Sequence, residues 1–173
     1  MRILKLAILA IFLTFLLCGC HGGQDRLPDY RSRPYRAEVR WSLEDSTFGA
    51  LVTVTPVEGQ ESPDIGLEFL YPEELNGLCA RRTGGEVFMT RHSVRVKVTG
   101  DTRLLWAAEK LAGNGERKLA GSTEKNGVTR YRAEIRCGEE VYVCELDENG
   151  IPKKLLGDGW EVDVIRFEFL DES

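Results

Sequence analysis

Histidine, long apolar runs and a net basic charge are scarce or missing in this 173-residue chain, and each lack removes a class of function. The two histidines are His21 and His92. His21 stands in a glycine- and arginine-rich stretch, which leaves His92 alone for acid–base or metal work. His92-Ser93 has no acidic third member, and no glycine-flanked serine marks a nucleophile elbow, so a hydrolase triad is excluded from the reading. Carboxylates are plentiful, but they alternate with Arg and Lys as on a solvated sheet face, and no pair stands out as glycosidase-like. Gly84-Gly85 and Gly113-Asn114-Gly115 lack the strand-to-helix setting and the lysine of a phosphate loop. Downstream of Cys20 there are three cysteines, Cys79, Cys137 and Cys144, with no close metal-ligand spacing and an odd count that leaves at least one thiol free. Cys137 and Cys144, on the apolar face of one hairpin, are expected as core thiols. The expectation is no catalytic residue, no metal and no cofactor.

The longest apolar run, residues 6–17, is broken only by Thr14 and follows Arg2 and Lys5. It falls short of the ~20 residues that cross a hydrocarbon core, so it predicts an export signal and not a permanent span. The run ends in Leu17-Cys18-Gly19-Cys20. That tetrad resembles the bacterial lipobox, with Leu three before the cysteine and a small residue just ahead of it. Cys18 does not fit, because Leu17 would then occupy the cleavage position. The resemblance implies cleavage after Gly19, diacylglycerol on the Cys20 thiol, and an acyl chain such as palmitate on its new amino group. Two or three chains, at about 0.8 kcal/mol per buried methylene, make a lasting anchor where one would not. Losing residues 1–19 removes two basic residues and no acidic one, taking the net charge from −5 to −7. Such a balance lacks the basic footprint that nucleic acid demands. His21, in place of Asp, lacks the lipoprotein family's inner-membrane retention signal. The expected location is the outer face of the cell membrane, or the outer membrane in an organism that has one.

Residues 20–34, rich in Gly, Arg, Asp and Pro, are expected to be a flexible tether behind lipidated Cys20. One domain is expected over 35–173. Its dominant period is two: Ala37, Val39 and Trp41 share one face against Arg36, Glu38 and Arg40 on the other, and Phe48, Ala50, Val52 and Val54 repeat the pattern. Ile65, Leu67, Phe69 and Tyr71 give a third strand. Asn126-Gly127 is the strongest hairpin signal, because a type I′ turn needs positive φ at both central residues. The apolar set of the last strand changes phase by one residue between Val164 and Ile165, which predicts a bulge or a strand buried on both faces. Leu104, Ala107, Ala108 and Leu111, behind a cap at Asp101 or Thr102 and ahead of Gly113, give the single helix. Leu105 and Trp106 widen its stripe. The class is mainly β, a strongly curved antiparallel sheet of about ten strands with one covering helix.

Two turn segments carry a family resemblance. Leu70-Tyr71-Pro72-Glu73-Glu74-Leu75-Asn76-Gly77-Leu78 and Val143-Cys144-Glu145-Leu146-Asp147-Glu148-Asn149-Gly150-Ile151-Pro152 resemble the strand, proline turn and glycine, and the strand, Asp turn, glycine and proline, of LolA-like domains, the half-barrels of lipoprotein carriage and localisation. The resemblance covers residues 35–170. It implies a non-catalytic half-barrel whose concave wall holds a lipid or a lipoprotein acyl chain, or, with the cavity collapsed, an envelope protein-interaction or sensor module. An apolar wall of this kind would draw on Trp41, Phe48, Leu67, Phe69, Leu105 and Trp106. The carriers' helix ahead of the first strand is missing here, so residues 101–112 are left as the sole covering element.

Overall fold

The computed structural model describes residues 27–43, 45–60, 62–99 and 103–170. The signal segment, Cys20, the first part of the tether and the capping pair Asp101 and Thr102 lie outside the described residues. The strands are β1 (Tyr35–Leu43), β2 (Ser46–Thr55), β3 (Asp64–Tyr71), β4 (Leu78–Thr83), β5 (Glu86–Arg91), β6 (Val94–Val98), β7 (Glu116–Lys125), β8 (Val128–Cys137), β9 (Glu140–Leu146), β10 (Pro152–Gly157) and β11 (Trp160–Phe169). All eleven join one curved, unclosed sheet in the order β6-β5-β4-β3-β2-β1-β11-β10-β9-β8-β7. Each strand therefore pairs antiparallel with a sequence neighbour, except where the first and last strands meet in the middle. β6 and β7 are consecutive in sequence but stand at opposite edges. The chain must cross the whole sheet between them.

That crossing carries the helix. A 3₁₀ turn, Arg103–Leu105, runs into α1 (Trp106–Ala112), which ends at Gly113 in the left-handed region, φ 53°, with its N–H donating to the Glu109 carbonyl at 3.0 Å. The regular helix is thus shorter than the 101–112 expected. Leu105, Ala107, Ala108, Leu111 and Ala112 are buried against β2 and β3. Small inward residues on the strands, Ala37, Ala50 and Ala80, let the helix lie close to the sheet. Fully burying Leu105 and Leu111 contributes about 1.5–3 kcal/mol each.

Alternation along each strand separates the two faces. Tyr35, Ala37 and Val39 of β1, Ala50, Val52 and Val54 of β2, and Ile65, Leu67 and Phe69 of β3 make the concave core. The convex face carries ion pairs such as Arg40–Asp163, Arg132–Glu145 and Lys154–Glu161, which are worth little individually in water. Asn126 and Gly127 both have positive φ, 54° and 74°, as the type I′ turn requires. The phase change in β11 is a bulge: Glu38 pairs with Arg166 and Val39 with Val164, so Ile165 is the extra residue and is half exposed. Past it, Phe167 and Phe169 return to the core side.

Two expectations are corrected. The flexible tether does not reach residue 34. Pro28 to Arg33 lie against the domain, with Tyr30 only 1% exposed in a 3₁₀ turn, Tyr30–Ser32, whose N-cap Asp29 accepts a bond from the Arg31 N–H at 3.1 Å. A single buried tyrosine in a proline-rich stretch has no periodicity to announce it. The three described cysteines, Cys79, Cys137 and Cys144, are free, but only Cys144 is fully buried. Cys79 flanks inward-facing Ala80 and so points to the convex side, while half-buried Cys137 pairs with Glu140 at the hairpin end.

Candidate functional site: the aromatic end of the concave face

The inward side chains grow in size along β1 and β2, from Ala37 and Val52 to Trp41 and Phe48 near the β1–β2 turn. Trp41 and Phe48 are direct cross-strand partners with stacked rings, centroids 5.5 Å apart and planes at 16°, and Phe69 lies 6.2 Å from Trp41. On its other side Trp41 pairs with Val162, and Trp160 follows two residues away on the same face, a diagonal neighbour across β1·β11. Trp160 meets Trp106 edge to face at 4.9 Å and Tyr142 at 5.5 Å. All three tryptophans of the chain therefore gather at one end of the half-barrel, beside the start of α1.

The structure divides the six expected wall residues. Leu67, Phe69 and Leu105 are 2%, 3% and 1% exposed, sealed between helix and sheet as core. Trp41, Phe48 and Trp106 stay half-buried and keep ring surface open to solvent. Half-buried Trp160 joins them, with Tyr142, 2% exposed, packed behind it, and sequence reasoning did not place either there. Nothing short of the β1·β11 register brings Trp160 beside Trp41. Lys110 lies 5.8 Å from the Trp160 ring and 5.7 Å from that of Tyr142, with Glu140 as its ion-pair partner, so one cation rims the aromatic group. Four grooves lined by described residues take no wall from Trp41, Phe48 or Trp106; the largest, about 480 Å³, is bounded by polar side chains of Gln60, Ser62, Asp64 and Arg82.

The far end of the helix is fixed by the segment that precedes β1. The Tyr30 hydroxyl donates to the Leu111 carbonyl at 2.9 Å, and the Tyr142 hydroxyl to the Lys110 carbonyl at 2.7 Å. Arg31 donates to the carbonyls of Gly113 and Gly115, the latter at 2.9 Å, while Asp29 grips its guanidinium from behind at 2.7 Å. These donors satisfy carbonyls that every helix C-terminus leaves open, and Arg31 places its charge where the helix dipole favours a cation. Burial works against the Asp29 charge, but hydrogen bonds from Arg31 and the nearby Arg31 and Arg117 charges outweigh it and leave the carboxyl below its ordinary pKa.

Beneath this clasp sit Tyr30, Tyr35 and Cys144. Burial pushes the Cys144 thiol from its ordinary 9.0 up to about 12, and holds both tyrosine hydroxyls well above 10.0. The fold thus keeps protons that the unfolded chain releases, so its stability is complete below about pH 9 and falls as pH rises toward the folded values. The thermal midpoint is expected to drop steeply above that pH, and Cys144→Ala to flatten the first part of the drop. An unchanged slope in the variant would contradict the assignment.

His92 is exposed in the β5–β6 turn with φ 54°, and no group of three or more potential metal ligands occurs among the described residues. No protein-family model matches the chain, and no curated protein matches its sequence. Solved structures do resemble it. An uncharacterized conserved protein from Thermus thermophilus is 16% identical with a TM-score of 0.52 over 82% of each chain. A putative outer membrane lipoprotein-sorting protein domain from Vibrio parahaemolyticus is 14% identical, TM-score 0.45, over 83% of this chain and 89% of that one. A LolA superfamily protein from Nitrosomonas europaea is 12% identical, TM-score 0.44, over 87% and 91%. At 16% identity the likeness to the Thermus protein is one of fold. The described residues share that fold, an open, strongly curved antiparallel sheet with one helix laid across its concave face.

Proposed function

We propose that the chain is an exported envelope lipoprotein, held at the membrane through Cys20, whose half-barrel binds an acyl chain non-catalytically at its aromatic end. The observation that carries the reading is the gathering of Trp41, Phe48, Trp106 and Trp160, half-buried, on a concave face whose other inward side chains are largely sealed. Aromatic rings offer a large apolar surface that loses little side-chain entropy on binding, which suits a chain with no polar features to recognise. The Lys110 ammonium at the rim suits the carboxylate or phosphate that terminates such a chain.

Native mass spectrometry of the full chain extracted from membranes tests the reading. The mature protein is expected to begin at Cys20 with a covalent lipid and to carry a second, non-covalent acyl lipid. Trp106→Ala should weaken uptake of a fluorescent fatty acid about tenfold, as loss of one aromatic anchor does. Cys20→Ser should move the protein to the soluble fraction. Protein free of bound lipid and indifferent to the probe would instead favour a docking module, a reading supported by the burial of Leu67, Phe69 and Leu105 beneath the helix.

A further inference from the structure

The arm of the sheet formed by β4, β5 and β6 differs from the rest of the molecule in charge, cover and edge. Residues 78–98 hold Arg81, Arg82, Arg91, Arg95 and Lys97 against one acidic residue, Glu86, in a chain whose net charge is −5. Arg81, Arg91 and Arg95 enter no ion pair among the described residues. The helix packs on β2 and β3, leaving the concave side of the outer strands open. Val94 and Val96 are 63% and 54% exposed there, among the most exposed large apolar side chains described. β6 pairs with β5 alone, so its outer backbone edge has no strand beside it among the described residues.

Sheet edges are normally blunted by short strands, charged side chains, bulges or prolines, and β6, five residues long with Arg95 and Lys97, has the first two and neither of the others. The opposite edge strand, β7, has an irregular register between Leu119 and Gly121. β6 keeps an unbroken register with β5 from Val94 to Val98 and contains no proline. Its side chains alternate in function. Val94 and Val96 face the concave side, while Arg95, stacked 4.0 Å over Phe88, and Lys97 face the convex side. A second copy of this chain pairing through β6 would bring these basic residues together, which is unfavourable across a strand pair. Arg91, the cross-strand partner of Val94, is the one basic residue of β5 and β6 on the valines' side. A flat anionic membrane cannot meet the valines together with Arg95 and Lys97, because these lie on opposite faces. An extended strand can.

We propose that β6 is the docking edge for an extended segment of another protein in which apolar and acidic residues alternate, added to the sheet as a twelfth strand. Its main chain pairs with the open edge, its apolar side chains cover Val94 and Val96, and its carboxylates stand beside Arg95 and Lys97. This docking is independent of acyl binding at the aromatic end, which lies on other strands.

The test uses the full-length protein in detergent and a labelled ten-residue peptide of alternating Val and Glu. Two controls replace Glu by Lys, or methylate alternate backbone nitrogens so that charge is kept and strand pairing lost. The Glu peptide is expected to bind about tenfold more tightly than either control, and to slow hydrogen exchange selectively at residues 94–98. Arg95→Glu with Lys97→Glu, which lie on the solvated face and should leave the circular dichroism unchanged, should reverse the preference toward the Lys peptide. Equal binding of the methylated peptide, no preference between Glu and Lys, or protection outside β6 would overturn the proposal. So would β6 protection that grows with protein concentration in the absence of peptide, which would assign the edge to a second copy. Binding to anionic phosphatidylglycerol vesicles that needs Arg95 and Lys97, with no peptide binding, would assign it to the membrane.

Discussion

Gly115→Ala is expected to lower the unfolding free energy by about 3 kcal/mol, the upper part of the range for a substitution that forces backbone to shift. A methyl group at position 115 would overlap the Arg136 carbonyl and come within 2.8 Å of the Cys137 sulfur. The obstacle on one side is main chain in a strand, which cannot rotate away as a side-chain end could. Gly115 is also where the chain, having crossed the concave face, turns into β7, whose first residue Glu116 pairs with Arg136. Relief of the overlap therefore pushes β7 off β8 and disturbs the Gly115 carbonyl that accepts from Arg31. Urea midpoints give the measurement, with Gly66→Ala as the control. There the added carbon would find Thr53 at 3.8 Å, an ordinary contact, and the lost unfolded-state freedom of glycine should make the change neutral or slightly stabilising. Equal midpoints for the two variants would mean that β7 is not locked to the end of the helix crossing.

Gly115 also illustrates what a sequence can and cannot disclose. As a glycine after a helical stripe it reads as a stop signal, and its neighbour Gly113 does serve as one. That Gly115 must be small because the end of β8 passes over it follows only from the β7·β8 register. The strands themselves were legible because their period of two is imposed locally: a half-buried strand must place Val52 and Val54 on one side whatever its partners are. Sheet order is different. Pairing of β1 with β11 depends on how the whole chain closes, and no local pattern near Tyr35 or Phe169 states it. The expected wall residues divide into sealed and half-buried for the same reason. Leu67 and Trp41 both face inward, but only the position of the helix decides that the first is sealed and the second is not. Trp160 becomes part of the aromatic group through a register that links the first strand of the domain to its last.

Tyr30→Ala is expected to cost about 3–5 kcal/mol, as much as truncating a large side chain in the middle of the sheet, although Tyr30 lies ahead of the first strand. Its ring is 1% exposed and meets Tyr35 edge to face at 5.6 Å and Phe167 at 5.9 Å, closing the end of the core opposite the aromatic group. Its hydroxyl accounts for one more increment. Tyr30→Phe keeps the ring and deletes only the bond to the Leu111 carbonyl, so its cost should be about 1 kcal/mol. The two variants separate packing from clasping. Hydrogen exchange at the last turn of α1 should rise in both, while sheet amides should loosen only in Tyr30→Ala. Neighbouring contacts explain why a short segment can carry so much. The Pro28 carbonyl accepts from Arg117 at 3.1 Å and lies where a side chain at Gly150 would be, 2.6 Å from the place of its first carbon. The glycine of the second turn motif thus leaves room for the chain ahead of β1, and the domain begins several residues earlier than its strands do. A cost below about 1 kcal/mol for Tyr30→Ala would return that segment to the tether. The larger cost would mean that residues ahead of the first strand also hold down the helix across the concave face.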